Sequence, residues 1–238
     1  MKYLNFANHI NTNEKPETLL MLMDISDSML AHDIRPSRME AAINANEEII
    51  KVKSRHYYDD KIGIIVFQKS AKLVSFPTFA SKIGNVKHFI DEIGDEDMEG
   101  GTDFVAPLKL AYQCFFGVNL KKENSFLSRA LSNLFCESVD DNTVPPIDTS
   151  GTIKRIILLT DGEHLGDDNP VRIATRLKDA GVIIDCIGIG GTPQNVDEKL
   201  LKQIASRNFD GSIRYCFIGD QETLIRKYNS LAQHIRPV

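Results

Sequence analysis

Five apolar segments alternate along the chain with segments whose apolar residues recur at helical spacing. These segments are rich in β-branched or aromatic residues and are apolar on both faces, as parallel strands must be when helices cover them. They are TLLMLM (18–23), KIGIIVF (61–67), KRIILLT (154–160), VIIDCIGIG (182–190) and SIRYCFI (212–218). A shorter segment, AKLVSF (71–76), follows the second after only three residues. We expect it to pair antiparallel with the second strand as an edge strand that ends at Pro77.

Six segments have the apolar stripe of an amphipathic helix. They span residues 37–53, 81–93, 103–116, 168–181, 196–207 and 220–235. The fourth has the clearest boundaries, with Asn169 as N-cap, Pro170 at the first helical position and Gly181 as terminator. Because strand and helix alternate, the sequence predicts an α/β fold. Its central sheet is doubly wound and mostly parallel, with one antiparallel edge strand and helices on both faces.

Composition excludes several classes of protein. A net charge of −5 without a basic stripe argues against a general nucleic-acid binder. The four cysteines lie far apart without a CxxC pair, which favours free thiols in a reducing compartment over a zinc site. The apolar segments are far shorter than the roughly 20 residues of a membrane-spanning helix. The first residues lack the apolar core of a signal peptide, so we expect a cytoplasmic protein without a membrane role.

One long connection interrupts the alternation of strands and helices. Residues 117–152 separate the third helix from the next strand by several times a typical connection. We therefore predict an N-terminal tail at 1–15 and one domain at 16–238 with an insertion at 117–152. The insertion either packs on the domain and carries partner specificity or forms a disordered surface segment.

Oxygen-bearing side chains follow two of the predicted strands and precede one helix. Ligands of a doubly wound sheet bind beyond the carboxyl ends of its strands, where these side chains should meet. The five residues are Asp24, Ser26 and Ser28 in MDISDSML, Thr102 in MEGGTDF, and Asp161 in the Asp-Gly pair after strand 154–160. All are hard oxygen ligands, and the pattern contains no His or Cys. This donor set favours Mg²⁺, Mn²⁺ or Ca²⁺ over zinc or copper.

Each of these residues also has a simpler interpretation, because Ser and Asp after strands often cap helices or close turns. Asp103 either supports the proposed site or caps the third helix. His32 and His164 lie near the site and could act as bases, although positions on a polar rim are favoured. Motifs of other enzyme classes are missing: position 26 is Ser where a haloacid dehalogenase has Asp, and neither GxSxG nor GxxxxGK[ST] occurs.

The three motifs, in this order, resemble the metal-ion-dependent adhesion site of von Willebrand factor A domains. The resemblance covers residues 16–236, and DSMLAHDIRPSRMEAA is similar to the bacterial aerotolerance (Bat-type) branch. In size the chain is similar to stand-alone members from tellurite-resistance operons. The resemblance implies that Ser26, Ser28 and Thr102 touch the metal directly or nearly so. It implies that Asp24 and Asp161 act largely through water.

The resemblance also implies a function. It predicts a divalent-cation-dependent interaction module, not an enzyme, whose metal binds an acidic residue of a partner protein. The partner is expected to be a MoxR-type AAA+ ATPase or a protein encoded nearby, with this chain as adaptor or assembly factor. The alternative is a metal-dependent hydrolase that uses the same ion on a phosphoester.

The loops around the site predict an acidic rim that steers a partner whose ligand carboxylate is encircled by Lys and Arg. The acidic residues of these loops are Asp27, Asp33, Asp95, Glu96, Asp97, Glu99, Asp103, Glu163, Asp167 and Asp168.

Overall fold

The computed structural model describes residues 15–84, 86, 88, 101–117 and 149–233. A six-stranded sheet with the order β3-β2-β1-β4-β5-β6 forms its centre. The strands are β1 (Glu17–Asp24), β2 (Lys61–Phe67), β3 (Ala71–Phe79), β4 (Ile153–Thr160), β5 (Ile183–Ile189) and β6 (Tyr215–Ile218). All neighbours pair parallel except β3, which pairs antiparallel with β2. The predicted fold class is confirmed.

Five α-helices whose bounds lie within the described residues pack on this sheet. They are α1 (Arg38–His56), α2 (Val105–Phe116), α3 (Pro170–Asp179), α4 (Glu198–Ile204) and α5 (Gln221–Gln233). Helix α3 begins as the sequence predicts, since the Asn169 side chain accepts a hydrogen bond from the backbone N–H of Val171. Of the predicted helix at 81–93, the first described residues form a short 3₁₀ helix, Ala80–Lys82, whose C-cap is Ile83, while Val86 and His88 are helical. The rest of that prediction and the interior of the predicted insertion, 118–148, lie outside the described residues.

The sheet buries both of its faces. In β1, Leu19, Met21 and Met23 belong to an apolar cluster that includes residues of α1 and α5. Leu20 and Leu22 belong to a second cluster, with residues of α2, α3 and α4. Because helices cover both faces, the carboxyl ends of the strands are left as the place where side chains of several loops meet.

The edge strand β3 is longer than predicted. Pro77 does not end it, because the strand continues to Phe79 and its pairing with β2 shifts register between Ile62 and Ile65. A proline is tolerated here because an edge strand has one side without ladder partners. Pro77 also packs closely on Gly63, where an added Cβ would lie 2.6 Å from Pro77 Cγ. Only glycine leaves room for this contact.

Buried ion pairs lie away from the carboxyl ends of the strands, around the beginning of β1. Lys53 Nζ donates to Glu17 Oε2 at 2.6 Å and to Asp60 Oδ2 at 2.7 Å, and all three residues are buried. Arg155 Nε donates to Asp185 Oδ2 at 2.6 Å on the neighbouring strands. The sequence analysis did not anticipate these pairs, because Lys53 stands at the end of an ordinary amphipathic pattern.

Candidate metal centre

The candidate site lies at the carboxyl ends of β1 and β4. β1 ends at Asp24, which is followed by a short 3₁₀ helix at Asp27–Leu30, and β4 ends one residue before Asp161. The loop that carries Thr102 is tied to the loop after β4, because Leu165 N–H donates to Thr102 O at 2.8 Å. Gly101 precedes Thr102 with a φ of 103°, a conformation that residues other than glycine rarely adopt. Two of the three loops that carry the site are thereby held against each other.

The three hydroxyls and two carboxylates form one hydrogen-bonded cluster. Ser26 Oγ lies 3.2 Å from Ser28 Oγ and accepts from Thr102 Oγ1 at 3.3 Å. Ser28 Oγ donates to Asp161 Oδ1 at 2.8 Å, and Thr102 Oγ1 lies 3.4 Å from Asp24 Oδ2. The structure therefore brings together all five side chains that the sequence analysis named. That they bind a metal stays a prediction.

Asp24 is fully buried beneath this cluster. Its Oδ1 accepts from Ser26 N–H at 2.9 Å, and its Oδ2 accepts from Thr160 Oγ1 at 2.6 Å. Burial raises the pKa of Asp24 to about 6, although the hydrogen bonds from Thr160 and Ser26 act in the opposite direction. A cation beside the carboxylate would favour its charged form and so lower that pKa.

Asp161 is held by an arginine as well as by a serine. Arg38 Nη1 donates to Asp161 Oδ2 at 2.6 Å, and its Nε donates to Asp33 Oδ1 at 2.8 Å. Burial raises the pKa of Asp161, while Arg38 and Ser28 oppose that rise. The Arg38 guanidinium holds the pKa of Asp33 down to about 2. Arg38 therefore joins a proposed metal ligand to a carboxylate outside the five-residue cluster.

The donor set fits a hard divalent cation. The site is not a cluster of His, Cys, Asp and Glu alone, because within the described ranges no three such side chains come together in a way that could hold a metal ion. Here the two carboxylates are supplemented by three hydroxyls, and oxygen ligands of this kind suit Mg²⁺ or Ca²⁺. The same residues, with Asp24 lying deeper, border an open cleft of about 440 Å³ that also includes Glu163, Leu165 and Asn195. The cleft is therefore open to a side chain from another molecule.

Two residues of the site were missed by sequence analysis. Thr160 was counted only as the last residue of its strand, and Arg38 only as part of an amphipathic helix. The pattern contained one usable signal for Arg38. A cation in the first turn of a helix is disfavoured by the helix dipole, so its position indicates carboxylates nearby.

The structure also bears on the residues that sequence analysis left open. Asp103 Oδ1 accepts from Val105 N–H at 2.7 Å, at the first residue of α2, which agrees with the helix-capping alternative. His164 Nδ1 accepts from Phe104 N–H at 3.1 Å, and its Nε2 lies 2.8 Å from Asp168 O. These bonds place the proton on Nε2 and occupy both ring nitrogens. His164 is thus not available as a base in this arrangement.

The acidic rim is weaker than its residue count indicates. Asp33 forms an ion pair with Arg38, and Asp168 lies 3.4 Å from Lys109 Nζ. Asp27, Glu163 and Asp167 are exposed. The predicted rim residues at 95–99 lie outside the described residues. Steering of a basic partner by this rim stays a prediction.

The family follows from a comparison with known proteins. A family model of the von Willebrand factor type A domain matches residues 19–164, more than half of the chain. The chain therefore belongs to the von Willebrand factor type A domain family. Members of this family are typically metal-dependent interaction modules rather than enzymes. The comparison with curated proteins gives no match.

Several solved structures share the fold. An aerotolerance-related membrane protein from Bacteroides fragilis has a TM-score of 0.62 at 20% identity, over 91% of this chain and 98% of that one. BatB from Bacteroides thetaiotaomicron gives 0.56 at 20% identity, over 91% and 99%. Proximal thread matrix protein 1 from the mussel byssus, with a zinc-occupied metal-ion-dependent adhesion site, gives 0.57 at 21% identity. That match covers 92% of this chain but only 48% of the mussel protein, so the chain spans about half its length.

No helix in the described part of the chain is long and apolar enough to cross a membrane. The predicted cytoplasmic location stays a prediction.

Metal binding should weaken in acid because Asp24 takes up a proton. With its pKa raised to about 6, Asp24 is protonated below that pH in the metal-free folded protein, and an ion must displace the proton. Without metal, the folded protein holds the Asp24 proton more tightly than the unfolded chain does, which stabilises the fold. This stabilisation is fully present below the usual pKa of 3.8 and is lost as pH rises through about 6. The rise in melting temperature caused by Mg²⁺ should therefore be larger at about pH 7.5 than at about pH 5. Differential scanning fluorimetry with and without Mg²⁺ measures both values. Equal shifts at the two pH values would contradict the expectation.

Proposed function

We propose that the chain is a divalent-cation-dependent interaction module that binds Mg²⁺ or Mn²⁺ through Asp24, Ser26, Ser28, Thr102 and Asp161. The observation that carries the proposal is the convergence of these three hydroxyls and two carboxylates beside an open cleft. Two carboxylates balance a divalent charge, while neutral hydroxyls leave the ion able to attract another anion. Mg²⁺ suits this role because it keeps several waters that an incoming carboxylate can displace.

The partner supplies a Glu or Asp side chain to the ion. The shape of the cleft supports this assignment, since Leu165 is 70% exposed beside the site and offers apolar contact to residues flanking that carboxylate. By resemblance to the Bat-type branch, the partner is a MoxR-type AAA+ ATPase or a protein encoded nearby. The chain then acts as its adaptor or assembly factor.

The proposal is tested by capturing partners from a native lysate on the immobilised protein, with Mg²⁺ or with chelator. We expect a protein that is retained only with Mg²⁺ and is lost in Thr102→Ala, which removes one hydroxyl of the site. Thr78→Ala is a matched control, because Thr78 is partly exposed on the edge strand β3 opposite Ile62, near the beginning of β2 and away from the cleft. Retention of the same proteins in chelator, or by Thr102→Ala, would contradict metal-dependent binding.

Phosphoester turnover tests the enzymatic alternative. The geometry does not favour a hydrolase, because the ring nitrogens of His164 are already engaged. We expect no turnover of generic phosphoesters with Mg²⁺ or Mn²⁺ above that of Thr102→Ala. Turnover that depends on both the ion and Thr102 would replace the interaction module with a hydrolase.

A further inference from the structure

A basic groove lies between α3 and α4, on the face of the sheet opposite to α1 and α5. It has a volume of about 560 Å³, and no carboxylate is among the described residues that line it. Four cations and two apolar side chains contribute to the lining: Lys178, Lys199, Lys202, Arg207, Val171 and Ile213. They come from three separate segments of the chain, which explains why the sequence shows no basic stripe.

The charges of this groove are largely uncompensated. Of its four cations only Lys202 forms an ion pair within the described part of the chain, with Glu198 at 3.2 Å. Both of these side chains are partly exposed, and such surface pairs contribute little. Lys178 Nζ donates to two backbone carbonyls at the end of α4, at 2.8 and 3.4 Å, which carry no full negative charge. Burial lowers the pKa of Lys178, and the nearby charge of Arg207 acts in the same direction. An anion in the groove would favour the charged form of Lys178.

A turn closed by hydrogen bonds begins at the wall of this groove. Arg207 and Ile213, which both line the groove, pair across the base of the turn as an antiparallel bridge. Near the tip, Asp210 Oδ1 accepts from Ser212 N–H at 2.9 Å and from Ser212 Oγ at 2.6 Å. Phe209 precedes Asp210 and is fully exposed. The turn therefore holds the backbone of an exposed aromatic residue in place next to the groove.

The position of Phe209 is more informative than its exposure. Single exposed apolar residues are common on protein surfaces and need no explanation. Aromatic side chains are enriched in interfaces, however, and residues that are already ordered lose less entropy on association. Here the base of an ordered turn forms part of a groove with uncompensated cations and an apolar lining. This combination matches a ligand that has both carboxylates and an apolar side chain.

We propose that the groove and the Phe209 turn form a second protein-interaction surface, which binds an acidic polypeptide segment that carries an apolar residue beside its carboxylates. Extended polyanions such as nucleic acid or an anionic membrane fit less well, because the net charge of −5 repels them over the rest of the surface. A short acidic segment meets only the local cations. Its apolar residue can pack against Phe209 and Ile213.

This surface lies away from the candidate metal centre. Ser206, directly before the turn, bonds to both backbone groups of Ile184 near the beginning of β5. The turn therefore belongs to the amino end of that strand, whereas the metal centre lies at the carboxyl ends of β1 and β4. The groove and the metal cleft share none of the described residues that line them. A partner at one site thus leaves the other open, as an adaptor between two proteins requires.

Selection from a random peptide display library tests the proposal. The wild-type protein is the bait, chelator keeps the metal centre inactive, and Phe209→Ser serves to deplete unspecific binders. We expect the enriched peptides to combine Asp or Glu with an aromatic or aliphatic residue. Fluorescence anisotropy on a synthetic copy of the most enriched peptide then gives its dissociation constant for each variant. Phe209→Ser and Lys199→Glu should each weaken binding by about fivefold or more, since a few residues carry most of the affinity of an interface.

Lys51→Glu and Tyr58→Ser are the matched controls, because they make similar changes at exposed positions away from the groove. Lys51 lies on α1, which packs on the opposite face of the sheet, and Tyr58 lies between α1 and β2. Neither change should alter the dissociation constant of the peptide. Phe209 and Lys199 are exposed as well, so all four variants should fold like the wild type.

Three results would overturn the proposal: no enrichment relative to Phe209→Ser, enriched peptides without acidic residues, or equal affinity in Lys199→Glu. A fourth is binding of a single-stranded oligonucleotide or of phosphatidylserine vesicles that is lost in Lys199→Glu, while no acidic peptide binds. That result would assign the groove to nucleic acid or to a membrane surface. None of these results bears on the metal-dependent function, because every measurement is made in chelator.

Discussion

Replacing Lys53 with Met should lower the free energy of unfolding by about 3–5 kcal/mol, since it leaves buried carboxylates without their cation. Lys53 Nζ lies within 2.7 Å of both Glu17 and Asp60, and all three side chains are shielded from water. Burial raises the pKa of Glu17 and Lys53 opposes that rise, so without Lys53 the buried carboxylate is harder to charge and the loss should grow as pH rises. Urea denaturation followed by circular dichroism measures the change.

Lys51→Met is the matched control for this experiment. Lys51 lies in the same helix but is exposed, and its ion pair with Glu48 spans 3.1 Å at the surface. Removing a surface pair of this kind changes stability by less than about 1 kcal/mol. Similar losses in the two variants would show that the buried pairs contribute no more than surface ones.

The second large effect concerns the metal. At a concentration about 100 times its dissociation constant, an ion that binds only the folded state should stabilise the wild type by about 2.7 kcal/mol. Asp24→Ala should reduce this gain to near zero, because it removes one of the two carboxylates of the site. Thermal unfolding with Mg²⁺ and with chelator gives the gain for each protein.

Asp27→Ala is the control for the metal experiment. Asp27 lies between Ser26 and Ser28 but is exposed and outside the hydrogen-bonded cluster, so its variant should keep nearly the full gain in stability. A gain of the same size in Asp24→Ala would exclude the five-residue site. Loss of the gain in both variants would indicate a general effect of negative charge near the site.

The architecture could be predicted because its signals are local. Each buried strand is an uninterrupted apolar segment, and the start of α3 is marked by Asn169 and Pro170 directly before the apolar pattern. Strand ends were less accurate. Pro77 was expected to end β3, and β6 was expected to begin at Ser212 rather than Tyr215. In both places contacts with distant residues decide the boundary: Gly63 packs against Pro77, and Arg214 N–H bonds to Ser206 O.

The contrast between local signals and long-range contacts also explains which residues of the site could be predicted from the sequence. Asp24, Ser26 and Ser28 share one short motif, and the topology of a doubly wound sheet predicts that Thr102 and Asp161 lie beside them. Arg38 and Thr160 could not be assigned to the site in this way. Thr160 meets Asp24 only once β1 and β4 pair, and Arg38 meets Asp161 only once α1 lies against the loop after β4. The one sequence signal, a cation in the first turn of α1, indicates carboxylates near Arg38 but not which ones.

The shape of β3 has a consequence for the protein at high concentration. Within the described residues, β3 and β6 form the two edges of the sheet, where unpaired backbone groups could recruit a second copy by sheet extension. Three features of β3 discourage this: a register shift, a proline without an N–H, and the exposed charge of Lys72. At the other edge, β6 offers only four residues. Both edges are therefore poor templates for strand addition, which disfavours aggregation by sheet extension although Phe76 and Phe79 are partly exposed on β3.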